Sequence, residues 1–343
     1  MPRLIHWTKG HQLTAFFALA FGITWGLSFS YLGFYQGKVW LMPLGSVALC
    51  GPALAGIIIS SVANTQPIEG SRRPQRVAFA IAWLLCAPVF LAHTVWFDRA
   101  PLSLGLVILV VLSTAPVAFV VSKAYSHIPT VRRLLSSLVR LRGVVGWSLL
   151  ALVLYPALIL LAVPITSLLG RQPIAAFRLP GPGVAGVGLI AVKFLYQFFF
   201  FNAAGEEVGW RGFALPRLQA RYSPLVASLI VALFWVPWHL LLWKAQGAPV
   251  ETLSFWISEN TLHIILSSVI ATWFYNRASG SILVVGIHHA AGNSTPRLLN
   301  SLDLTAYLLL RGLAALAFIL FDRMWKRLPL EHPAVHASTQ NAA

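Results

Sequence analysis

The amino-acid sequence predicts an all-α fold, a polytopic bundle of transmembrane helices with about eight to ten spans. Two observations carry that prediction. The 343 residues are 58% hydrophobic and only 10% charged, with a mean hydropathy of +0.76, whereas a soluble domain of this length needs far more charge to cover its surface. The apolar residues also fall in blocks long enough to cross a bilayer, which takes about 20 residues of helix. The blocks 102–122 and 145–168 contain no charged residue at all.

Taken in order, the candidate spans lie near 12–35, 41–63, 76–96, 102–122, 145–169, 186–220, 223–243, 256–275, 281–300 and 303–321. The first follows Arg3 and Lys9, is longer than a signal-peptide core and shows no small-residue cleavage site, so it reads as a retained span. Breakers separate the blocks, among them Ser71-Arg72-Arg73-Pro74, Gly170-Arg171-Gln172-Pro173 and Leu179-Pro180-Gly181-Pro182-Gly183. No internal repeat is visible. The organisation expected is one membrane unit, with N-terminal helices over 1–180, a core over 181–328 and a polar, frayed tail over 329–343.

The formal net charge of +16 would suggest a nucleic-acid partner in a soluble protein. Here no soluble domain exists to carry a basic groove. The Lys and Arg residues sit mostly between apolar blocks and cluster at every second loop: Arg72 and Arg73; Lys123, Arg132, Arg133, Arg140 and Arg142; Arg217 and Arg221; Arg277; Arg323, Lys326 and Arg327. That alternation places both termini in the cytoplasm and makes the lipid bilayer the partner of the charge. Cys50 and Cys86 each lie in an apolar block and read as small buried hydrophobes rather than as a disulfide.

Only 9 residues are acidic, and Glu206 and Glu207 are adjacent, directly after an aromatic-rich run. A carboxylate inside a membrane is costly and functional by default, and two neighbours are hard to keep charged together. Glu207 and Arg211 are four apart and share a helix face, so a structural ion pair explains them. Glu206 points about 100° away, with no local partner, and is the candidate general base.

His239 follows in Leu233-Phe234-Trp235-Val236-Pro237-Trp238-His239. Glu206 and His239 lie nearly symmetrically about Tyr222-Ser223-Pro224, the strongest turn signal between them. An antiparallel hairpin folded at that turn brings the two side chains to one depth, provided that the sixth helix continues past Glu207 to about residue 220. His289 and Asn293 are again four apart and face one way, with His288 turned aside. Such a His–Asn pair suits an oxyanion site. Glu206, His239 and His289 are equally a candidate set for Zn²⁺.

Glu206–Glu207–x–x–x–Arg211, the aromatic helix ending at His239, and His289–x–x–x–Asn293 together resemble the CPBP family of intramembrane peptidases. That family includes CAAX proteases of the Ras-converting-enzyme type and bacterial relatives linked to bacteriocin self-immunity. The resemblance covers about 190–300. It implies that Glu206 and His239 activate a water, that His289 and Asn293 stabilise the oxyanion, and that Glu207 and Arg211 hold the site together. The substrate implied is a membrane-associated peptide or protein, possible substrates including prenylated CAAX-type tails. The sequence departs from the family at the position four before His239, where Trp235 replaces the usual Phe. The resemblance leaves metal-free and metal-dependent chemistry open. The metal-free form is favoured because an amide is a poor zinc ligand. Two other classes compete: a proton-coupled transporter, in which Glu259 and His263 could join a relay, and a non-catalytic scaffold. The run Phe198–Phe201 is a packing surface or the wall of an apolar groove.

Overall fold

A computed structural model describes residues 2–68, 70–169, 183–253, 255–295 and 304–335. Among them every regular element is helical. Helices α1 (Pro2–Gly10), α2 (Gln12–Gly26) and α3 (Ser28–Tyr35) open the chain, followed by α4 (Met42–Leu49) and α5 (Gly51–Val62). Next come α6 (Arg73–Trp96), α7 (Leu104–Ser122), α8 (Pro129–Ser136) and α9 (Val145–Leu168). In the second half, α10 (Gly183–Tyr196) runs without a break into a π-helix (Gln197–Ala214) and α11 (Leu215–Gln219). After a tight turn, α12 (Pro224–Trp238) and α13 (Leu240–Ala245) lead to a second π-helix (Phe255–Leu262). The chain then forms α14 (His263–Arg277), α15 (Ile282–Ser294) and α16 (Leu304–Phe321).

Six helical stretches are long and apolar enough to cross a membrane: Gln12–Tyr35, Arg73–Trp96, Leu104–Tyr125, Val145–Leu168, Ala185–Gln219 and Pro224–Ala245. A seventh arises if Val39–Leu49 and Gly51–Val62, bent by 48° at their junction, count as one span. The chain is a multi-pass integral membrane protein. The described parts of the remaining predicted blocks are largely helical too, but α15 has 13 residues and Thr305–Phe321 falls among the shorter apolar helices. Large side chains point outward along the bundle, Leu84 at 71% and Leu233 at 69% exposure. Such a surface suits lipid, which solvates apolar side chains but not backbone.

Local chemistry starts several of these helices. Ser103, Ser223 and Ser281 are N-caps whose hydroxyls accept from the backbone N–H groups of Leu106, Val226 and Val284, satisfying donors the first turn leaves over. Pro224 follows its cap directly, where its fixed φ favours helix and its missing N–H costs nothing. The predicted turn at Tyr222-Ser223-Pro224 is therefore real. The helix before it continues to Gln219, as the hairpin requires.

The π-helix at Gln197–Ala214 is the centre of the bundle. It packs against α5, α7 and α15, and most of its residues are buried. Its i→i+5 winding is rare and concentrates at functional sites. Gly209 lets it approach the first half: a Cβ there would lie 2.5 Å from the backbone and side chain of Pro52.

The predicted breakers around 170–182 lie outside the described residues. The tail departs from expectation. Ala334 and Val335 are fully buried, and Pro333 packs beside Gly280. Two small apolar residues thus anchor an otherwise polar segment. Residues 336–343 lie outside the described region. Cys50 and Cys86 are buried and unpaired by disulfide.

Candidate active site

The hairpin of the π-helix and α12 sets Glu206 opposite His239, with Glu206 Oε2 3.7 Å from His239 Nε2. Both side chains are almost wholly buried in the protein. His239 Nδ1 lies 2.9 Å from the Trp235 carbonyl. A carbonyl can only accept, so Nδ1 carries the proton, and in the neutral ring Nε2 is an acceptor aimed towards Glu206. The gap of 3.7 Å is too long for a direct hydrogen bond. Two acceptors therefore face one another across a space that a two-donor group would bridge.

Trp235 sits at the middle of the site. Its indole Nε1–H donates to Glu206 Oε2 at 2.5 Å. The Arg211 guanidinium lies over its ring, 4.2 Å from the centroid. The rings of His239 and His289 pack against it at 5.6 and 5.3 Å. Sequence reasoning treated Trp235 only as an aromatic in place of Phe. The available signal was that Trp, unlike Phe, carries a donor that needs a partner when buried.

Glu207 is fully buried and plays a different part. Its Oε1 accepts from Arg211 Nη1 at 3.0 Å and lies 2.7 Å from His289 Nδ1. The i,i+4 pair expected with Arg211 is present even though the helix is π-wound. A carboxylate held by Arg211 can only accept, so His289 Nδ1 carries a proton and its Nε2 remains for another partner. Asn293, one turn further along α15, lines the same cavity. His288 is turned aside as expected and stacks on Tyr155 at 4.2 Å and beside Phe274 at 4.7 Å. Gly292 packs onto the Tyr155 ring, which fixes α15 against α9.

These residues open into a cavity of about 630 Å³. The first half supplies much of its wall, including Ser30, Tyr31, Phe34, Met42 and His93. Of the phenylalanine run, Phe198 and Phe200 are core residues, while Phe201 lines the cavity. His263 lies 2.5 Å from Arg311 Nη1, so its ring is engaged by an arginine. The Glu259 side chain lies outside the described residues.

Of the candidate zinc set, Glu206 and His239 face one another while His289 turns towards Glu207. Among the described residues no three His, Cys, Asp or Glu side chains group as metal ligands. His289 directs Nδ1 at Glu207, and Glu206 Oε2 accepts from an indole.

Residues 188–295, which contain all of these side chains except those from the first half and Arg311, match the family described as Type II CAAX prenyl endopeptidase Rce1-like. Over 177 residues the chain is 31% identical to CAAX prenyl protease 2 of Methanococcus maripaludis, an alignment covering 50% of this chain and 64% of that relative. The match thus spans a little under two thirds of the relative's length. Over residues 188–295 the chain is thus similar to the Rce1-like family of type II CAAX prenyl endopeptidases.

Proposed function

We propose that the protein is an intramembrane endopeptidase and that a water held between Glu206 and His239 is its nucleophile. The single observation that carries this reading is the facing pair of acceptors, Glu206 carboxylate and His239 Nε2, 3.7 Å apart. A water donating one O–H to each keeps a lone pair for a peptide carbonyl carbon. Glu206 takes the proton as the C–O bond forms and returns it to the leaving amine, which is general base and then general acid catalysis. Trp235 fixes one oxygen of Glu206 through the indole N–H.

The tetrahedral oxyanion is met by Asn293 Nδ2–H and, with the ring protonated on both nitrogens, by His289 Nε2–H. Glu207 orients the His289 ring through Nδ1, and Arg211 fixes Glu207. Preorganised donors of this kind stabilise charge where it develops. No step is assigned to a metal. The substrates are membrane-associated peptides, prenylated CAAX-type tails included. The peptidase core spans 181–328, and both termini face the cytoplasm.

Cleavage of farnesylated CAAX-type peptides by the purified chain in detergent tests this. Glu206→Gln should lower kcat by about 10²–10⁴-fold, with a strong chelator leaving the wild type unaffected. Turnover surviving in Glu206→Gln would overturn the assignment, and loss of activity with chelator would replace the bare water with a metal-bound one.

A further inference from the structure

The cavity has a second polar end that the proposed chemistry does not use. Lys193 of α10 and His93 and Asp98, at and just beyond the last turn of α6, line it together. Lys193 is only 6% exposed, and its Nζ lies 2.7 Å from His93 Nε2. An ammonium only donates, so Nε2 accepts and the His93 proton sits on Nδ1. That nitrogen lies 3.3 Å from Asp98 Oδ2. The His93 ring also stacks on Tyr196 at 3.6 Å, and Lys193 Nζ rides over the Phe97 ring at 4.9 Å.

The three groups form a chain with one direction, from carboxylate through imidazole to ammonium. The chain orients His93 and holds a cation against the cavity wall. Placing an ammonium there carries a desolvation cost, and the chemistry proposed at Glu206 does not use it. Asp98 is 43% exposed and follows the end of α6, so this end of the cavity lies towards the membrane–water boundary. A hydrophilic chain end would sit there.

Spacing supports a substrate contact. Lys193 and Glu206 lie on one continuous helix, separated by up to about 20 Å of axis at α-helical rise, and both side chains reach into the shared cavity. An extended peptide covers about 3.3–3.6 Å per residue, so about six residues at most bridge the two ends, and fewer once the reach of the two side chains is counted. The same cavity wall carries Tyr31, Phe34, Tyr196 and Phe201, which suit an apolar stretch of peptide.

We propose that Lys193, held by His93 and Asp98, binds the C-terminal carboxylate of the peptide whose scissile carbonyl lies at Glu206. The proposal deepens the peptidase reading and rests on it for the identity of the ligand. It gives the cavity a polarity: the substrate's C-terminus lies at the α6–α10 end, and cleavage is confined to bonds a few residues from a free carboxylate.

The test measures binding and cleavage separately, with full-length protein in detergent. A fluorescein-labelled farnesylated CAAX-type peptide is compared with its C-terminal amide, by anisotropy on a Glu206→Gln background and by turnover on the wild type. The free acid should bind about tenfold or more tighter than the amide, the effect of one charge-assisted hydrogen bond. Lys193→Gln should erase that ratio by weakening the acid alone, and Lys193→Arg should retain most of it. An unchanged affinity for the amide shows that Lys193→Gln is folded. Equal binding of acid and amide, equal weakening of both by Lys193→Gln, or no binding of either would overturn the proposal. Cleavage without an acid preference sinks the carboxylate seat and leaves the peptidase reading standing. An acid preference without cleavage does the reverse.

Discussion

The buried hydroxyls of α6 and α7, and the carboxylates that the π-helix sets beside α12 and α15, find their partners in different ways. In the first pair Thr94, Ser113 and Thr114 donate to the carbonyls of Phe90, Leu109 and Val110, each four residues back in its own helix. In the second group the bonds run between helices, from Trp235 to Glu206 and between His289 and Glu207. A hydroxyl satisfied by its own helix asks nothing of its neighbours. A carboxylate satisfied across helices fixes where those helices stand. The comparison separates polar residues that solvate themselves from polar residues that build a site.

Substitutions can break this contrast, and their effects should descend in order. Arg211→Met should have the largest, because it leaves Glu207 buried without its cation. Loss of about 3–5 kcal/mol would appear as a collapse of folded, monodisperse protein in detergent and of its thermal midpoint. Gly209→Val should come next. The added side chain collides with Pro52, and overpacking of this kind costs about 1–3 kcal/mol, read as a lower midpoint in the same assay. Trp235→Phe keeps the ring over Arg211 and removes only the N–H. We expect kcat to fall by about tenfold, the effect of one hydrogen bond to a charged group, with little change in midpoint. An unaltered kcat would reduce Trp235 to packing. Thr114→Val should be the mildest, within about 1 kcal/mol and without effect on turnover. A strong effect there would show that the hydroxyls of α7 serve the site after all.

The sequence made some of this legible and not the rest, for identifiable reasons. Block length and missing charge suffice for the fold class. Ser223-Pro224 is a strong local turn, so the Glu206–His239 hairpin followed from spacing. The i,i+4 relation disclosed Glu207 with Arg211. Contacts distant in the chain left no such trace: His93 and Lys193 meet at 2.7 Å only because α6 packs on α10. The π-winding was hidden because apolar periodicity in a helix buried on nearly all sides cannot distinguish one turn length from another. The first half offered no polar cluster by spacing, since its cavity residues are divided among α3, α4, α6 and α9.

The close seat of Gly209 on Pro52 also bears on transplantation. The match to the family model begins at residue 188, but that stretch leans on the first half. Cut away from α3, α4 and α5, the π-helix would present its glycine face to lipid, and the cavity would open along one side. Chimeras that graft 188–295 onto another membrane scaffold therefore need a proline-bearing helix at the same close distance, and swaps confined to α7 should be tolerated far better.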